Sequence, residues 1–129
     1  MRTGSLAGDS VIAFLATTRP ADALRFYRDV LDLAFLEETP FAIALRSGPT
    51  MIRIQKVDSL EPRSDTALGW AVPDLLARVA SLVEKGVRFE RFDGFNQDPF
   101  AVWTAPDGTM VAWFRDPDGN LLSLTQFAS

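Results

Sequence analysis

The sequence contains no cysteine and no histidine. Without cysteine there can be no disulfide, no thiolate nucleophile, no thiolate zinc site and no iron–sulfur cluster. Without histidine the usual general base near pH 7, the commonest transition-metal ligand and a serine triad of the ordinary kind are also excluded. No stretch approaches the roughly 18–20 apolar residues that span a bilayer, so no membrane partner is expected. The opening residues Met1-Arg2-Thr3-Gly4-Ser5 lead into no apolar signal core, and the expected location is cytoplasmic. Thirteen basic against 17 acidic residues give a net charge of −4, which offers no electrostatic reason to seek nucleic acid or anionic lipid.

What is present suits a folded domain. The 129 residues are 47% apolar and 23% charged, so one domain spanning 1–129 is expected. Residues 11–17 (Val-Ile-Ala-Phe-Leu-Ala-Thr) form a short apolar run rich in β-formers and predict a strand. Pro20 and Asp22 mark a helix start, and Leu24, Tyr27, Val30 and Leu31 space an apolar face over 23–31. Three strands follow, at 34–36, 41–45 and 51–57. Residues 58–66 are polar, carry Pro62 and read as a linker.

The pattern then restarts. Residues 68–72 predict a strand, Pro73-Asp74 opens a helix through Lys85, and Gly86 ends it. Further strands are expected at 87–92, 110–115 and 121–127, with 100–104 extended. Asp22 and Asp74 hold equivalent helix-start positions 52 residues apart (74 − 22). The sequence therefore predicts an α+β fold of two βαβββ modules, about 10–57 and 67–127. The modules are expected to join in a curved, mostly antiparallel eight-stranded sheet, with helices on the outer face and a hollow on the inner one.

Two segments carry a family likeness. Residues 24–31 (Leu-Arg-Phe-Tyr-Arg-Asp-Val-Leu) resemble the helix motif of the vicinal oxygen chelate superfamily, which includes glyoxalase I, bleomycin-resistance proteins and extradiol dioxygenases. Residues 114–124, built around Asp116-Pro117-Asp118-Gly119-Asn120, resemble its closing hairpin. The resemblance runs from about Val11 to Phe127 and implies the fold more firmly than any reaction. It also implies where metal-using members place their ligands. Those positions fall at Ile12, at Arg53 or Gln55, at Ala67 and at Ser123. A divalent ion wants imidazole and carboxylate donors, so neither a metal nor another cofactor is expected.

Strand periodicity supplies the rest of the site. In 51–55, Ile52 and Ile54 share one face while Met51, Arg53 and Gln55 share the other, which should look into the hollow. Ile12 and Phe14 share a face on the first strand, and Ala67, Gly69 and Ala71 are small enough to leave room. Trp103 follows an irregular loop, where binding residues tend to sit. Trp113 and Phe114 must point to opposite faces, and alternation does not say which lines the hollow. The candidate ligand-binding set is thus Ile12, Phe14, Arg53, Gln55, Ala67, Trp103, Trp113 and Ser123. Arg53 reads equally as an orienting cation or a solvent-facing residue. Asp93, Asp98 and Glu90 read more simply as loop solvation than as a cation-attracting group.

Apolar walls with a few polar groups describe a small-molecule pocket. The first expectation is a homodimer that binds a hydrophobic or aromatic molecule without a metal, in the manner of sequestration-type resistance proteins. The alternative is a glyoxalase-type lyase or isomerase acting on a small carbonyl substrate, for which no carboxylate pair stands out on the inner strands.

Overall fold

Side-chain alternation decides how each strand lies. In β4 (Thr50–Lys56), Ile52 and Ile54 are buried, while Arg53 is half-buried and Gln55 exposed. β4 pairs in parallel with β1 (Ile12–Thr17) and antiparallel with β3 (Ala42–Ser47), which pairs with β2 (Ala34–Glu38). The sheet order is β1-β4-β3-β2. β5 (Thr66–Ala71), β6 (Trp103–Thr104), β7 (Met110–Arg115) and β8 (Leu121–Gln126) repeat the arrangement in the order β5-β8-β7-β6, again with one parallel pair. These features belong to a computed structural model that describes residues 4–129; Met1 to Thr3, part of the stretch read for targeting, lie outside the described residues. No helix among the described residues is long and apolar enough to cross a membrane.

The two βαβββ modules are present, but their eight strands form two sheets of four rather than one continuous sheet. No strand pairing joins them among the described residues. They meet instead through side chains. One hydrophobic cluster holds Leu15, Tyr27, Ile43, Leu45, Ile52 and Ile54 of the first module with Leu75, Val79, Phe114, Leu122 and Leu124 of the second. Burial of each large aliphatic or aromatic side chain here contributes about 1.5–3 kcal/mol.

Helix α1 (Pro20–Leu24) passes into a π-helical segment, Arg25–Val30, in which the Leu31 amide donates to the Phe26 carbonyl. The two helix starts are less alike than their spacing suggests. Asp74 caps α2 (Leu75–Glu84) by accepting from the Ala77 amide, whereas Asp22 lies inside the first turn and pairs with Arg25. Gly86, at φ 95°, terminates α2 as expected.

Residues 87–92 do not form the expected strand. Only Phe89 bridges to Phe114, and the Gln97 side chain takes the place of a strand partner. Its amide oxygen accepts from the Phe92 amide, and its Nε2 donates to the Glu90 and Ala101 carbonyls. Residues 100–102 turn around Asp98, with Ala101 at φ 65°, so the expected extended stretch 100–104 reduces to the two paired residues of β6.

Hydrogen bonds at the closing hairpin tie the modules. Asp118 accepts from the hydroxyl of Thr17 and from both the amide and the hydroxyl of Thr18, and Asn120 donates to the Ala16 carbonyl. Asp116 accepts from the amides of Asp118 and Asn120, which shapes the turn, and from Tyr27 of the first helix. Gly119 adopts φ 88° there, a conformation that favours glycine.

Candidate functional site

Each sheet buries one face in the shared core and leaves the other open. On the first sheet the open face is set by register. Phe14 lies beside Arg53, Arg53 beside Ala44, and Ala44 beside Glu37, a row running across all four strands. A second row joins Ile12, Met51 and Arg46, and a third joins Ala16, Gln55 and Ala42. Ile12 and Phe14, on the edge strand β1, are 48% and 55% exposed and leave a pair of large apolar side chains open to solvent. Among the described residues no ion pair holds the Arg53 guanidinium. Glu38, one residue beyond Glu37, faces the other way and pairs with Lys56 at 2.8 Å.

On the second sheet Trp113 lies beside Ser123, and Ser123 beside Gly69; Trp103 lies beside Val111. Register therefore resolves the choice between neighbours: Phe114 is fully buried in the core, and Trp113 stands on the open face. Trp70 takes the core side, stacked on Phe114 with its Nε1 donating to the Ser47 hydroxyl at 2.9 Å. Over the open face the loop after α2 folds down two phenylalanines. Phe92 meets Trp113 edge-on at 5.4 Å, Phe95 stacks on Trp103 at 5.5 Å, and Phe95 also reaches Trp113 at 5.6 Å. Phe95 remains 46% exposed, so this four-ring group offers aromatic surface to the solvent.

Of the sequence-predicted residues, Ile12, Phe14, Arg53 and Gln55 share the open face of the first sheet. Trp103, Trp113 and Ser123 share that of the second. Ala67 stands apart as the unpaired residue of a bulge between Thr66 and Leu68, so its alternation with Gly69 and Ala71 is interrupted. Ser123 is buried, its hydroxyl filling the space above Gly69, where a Cβ would stand 2.6 Å from Oγ. Two of the loop acids, Asp98 and Glu90, are engaged in structure. Asp98 accepts from the amides of Phe100 and Val102, and Glu90 pairs with Arg115 at 3.0 Å. Tyr27 is fully buried, and burial together with the adjacent Asp116 pushes its hydroxyl well above the ordinary range, which removes it as a general acid near neutrality.

The profile of the Glyoxalase/Bleomycin resistance protein/Dioxygenase superfamily matches residues 10–124. The chain belongs to this superfamily. Solved structures agree on the fold. A glyoxalase family protein from Bacillus anthracis superposes with a TM-score of 0.75 at 14% identity, over 99% of this chain and all of that one. Lactoylglutathione lyase from Agrobacterium tumefaciens gives 0.71 at 16% identity, covering 92% of this chain and 93% of that one. TnmS3, an antibiotic binding protein from Streptomyces sp. CB03234, gives 0.69 at 22% identity, covering 96% and 99%. Comparison with curated proteins yields no match.

The donor set does not fit the metal of the metal-using members. Ile12 and Ala67 carry no donor atom, the fourth-strand position offers the cation Arg53 or the neutral amide of Gln55, and the Ser123 hydroxyl is a weak neutral ligand. No cluster of three potential metal-binding side chains occurs among the described residues.

Sequence reasoning missed three contributors. Glu37 lay beyond the expected end of its strand, and the bulge between Phe35 and Glu37 gave no signal in composition. Phe92 and Phe95 do not stand out in the sequence from the other aromatics of the second half. Their place above Trp103 and Trp113 depends on Gln97, whose amide mimics backbone and so leaves no hydrophobic signature.

Proposed function

We propose that this superfamily member is a metal-independent binding protein for a small hydrophobic or aromatic molecule, with sequestration as its effect. The observation that carries the reading is the partly exposed group of Phe92, Phe95, Trp103 and Trp113, which can stack a flat ligand. Arg53 and Gln55 of the other open face supply a charge and an amide for orientation. The candidate residues stand on two separate sheets. A homodimer that brings the first sheet of one chain against the second sheet of its partner would unite them, and it would also cover Ile12 and Phe14. The proposed location is the cytoplasm, and the whole chain acts as one domain.

A second reading, a lyase or isomerase acting on a small carbonyl compound, draws on Glu37, a carboxylate one residue across Ala44 from Arg53. Such a base, separated by one strand from a cation on the same face, would take a proton from a carbonyl compound lying between the two.

Metal analysis of the purified protein, combined with a methylglyoxal–glutathione turnover assay, separates the two. Binding alone predicts no turnover with or without added zinc, nickel, iron or manganese. Turnover dependent on bound metal overturns the proposal; metal-free turnover lost in Glu37→Gln establishes the second reading. Sedimentation equilibrium tests the dimer, which predicts twice the chain mass; a monomer throughout the micromolar range contradicts it.

A further inference from the structure

On the core side of the sheets, away from both open faces, a crevice of about 380 Å³ opens between the modules. This lies within the range of about 300–1,000 Å³ common to small-molecule sites. Its floor is apolar and fixed: Phe114 is fully buried, and Trp70 stacks against it at an interplanar angle of 19°, held by its bond to Ser47. Its wall is one stripe of α2 and the residue that follows it. Arg78, Leu82 and Lys85 recur at helical spacing and all line the cavity. Lys85 reaches across the gap to the Val30 carbonyl at 3.3 Å, so the cation is tethered at the rim and covers the negative end of the first helix. Arg78 has no ion pair among the described residues. Asp32 is the one acidic side chain of the lining. Two cations and one carboxylate leave a single positive charge over an apolar floor.

We propose that this crevice is a binding site for a small amphipathic monoanion: an aromatic or aliphatic body seated on the part-exposed Trp70 and Leu82, with Phe114 backing Trp70 from within the core, and a carboxylate between Arg78 and Lys85. A charge-assisted contact to two cations would fix the head group, and burial of the apolar body would supply most of the affinity. Asp32 opposes the anion and so limits affinity. The site is independent of the open-face residues proposed above for the main ligand.

Isothermal titration of the full-length protein with sodium octanoate, whose flexible chain has no ring to stack on the aromatic open face, and with the neutral 1-octanol, tests the inference. The acid is expected to saturate at a single molecule per chain and to bind about tenfold more tightly than the alcohol. Arg78→Ala and Lys85→Ala, both changes of exposed side chains, should each weaken the acid about fivefold with little effect on the alcohol, and Asp32→Asn should tighten it. Trp113→Phe, on the opposite face, should leave binding unchanged. Failure to saturate in the millimolar range, equal affinity for acid and alcohol, or insensitivity to both cation variants overturns the inference. Loss of binding in Trp113→Phe alone would assign the acid to the open face and overturn it as well.

Discussion

The Tyr27 hydroxyl donates to Oδ2 of Asp116 at 2.7 Å, and both residues are buried. One belongs to the helix motif of the first module and the other to the closing hairpin of the second. The two segments that carry the family likeness are thus each other's binding partners, 89 residues apart in sequence. Their shared task is to dock the modules, which holds both open faces in place.

This pair predicts an unusual titration. Tyr27 is the sole tyrosine of the chain. Burial, then the charge and hydrogen bond of Asp116, raise its pKa well above 10.0. Because the fold favours the neutral phenol, the stability it contributes is intact below about pH 10, where an unfolded tyrosine ionises, and is lost as the pH climbs from there towards the higher native value. Absorbance at 295 nm should therefore stay flat through pH 10 and rise only together with loss of the far-ultraviolet dichroism signal. A tyrosinate signal with a midpoint near 10 in folded protein would contradict the assignment.

Removing the hydroxyl should loosen the docking. Tyr27→Phe leaves Asp116 with the Asn120 side chain as its remaining partner at Oδ2 and is expected to cost about 1.5–3 kcal/mol in urea unfolding, as for other buried bonds to a charged acceptor. Unchanged stability would mean that the hydrophobic cluster alone aligns the modules.

Gly69 is required by the side chain beside it. A Cβ there would meet Ser123 Oγ at 2.6 Å, whereas Ser123 Cβ is 3.9 Å away. Gly69→Ala should destabilise by about 1–2 kcal/mol, and adding Ser123→Ala should recover most of the loss, because only the hydroxyl obstructs. Thermal melts of the two single variants and the double variant measure the coupling; strict additivity would refute the contact.

Asp32 adopts φ 61° immediately after the first helix, a conformation that glycine takes without penalty. Asp32→Gly should stabilise the protein by about 1 kcal/mol, read as a rise in the urea midpoint. A fall would indicate that the carboxylate makes a compensating interaction.

Much of this arrangement was legible in the sequence, and the reason is periodicity. Met51-Ile52-Arg53-Ile54-Gln55 announces by alternation alone that Arg53 and Gln55 share the open face, and the restart after the linker announces the second module. Alternation is silent on absolute direction, however. It says that Trp113 and Phe114 oppose each other, and only the pairing of Phe114 with Leu122 assigns the first to the open face. Residues 87–92 have strand composition, but the Gln97 amide satisfies their backbone groups locally and no full ladder forms. The docking of the two sheets uses side-chain bonds at Tyr27, Asp116 and Asp118, which no run of β-formers records. Glu37 reaches the open face through a bulge, and a bulge shifts facing without changing composition.

The central claim is that the aromatic open face binds its ligand by stacking, without a metal. Titration of the protein with a polycyclic aromatic antibiotic in the presence of a chelator, followed by tryptophan fluorescence, tests it most directly. Saturable quenching that survives the chelator, weakens about tenfold in Phe95→Ala, and leaves the antibiotic chemically unchanged is the expected result. Quenching abolished by the chelator, or binding indifferent to Phe95, would contradict it.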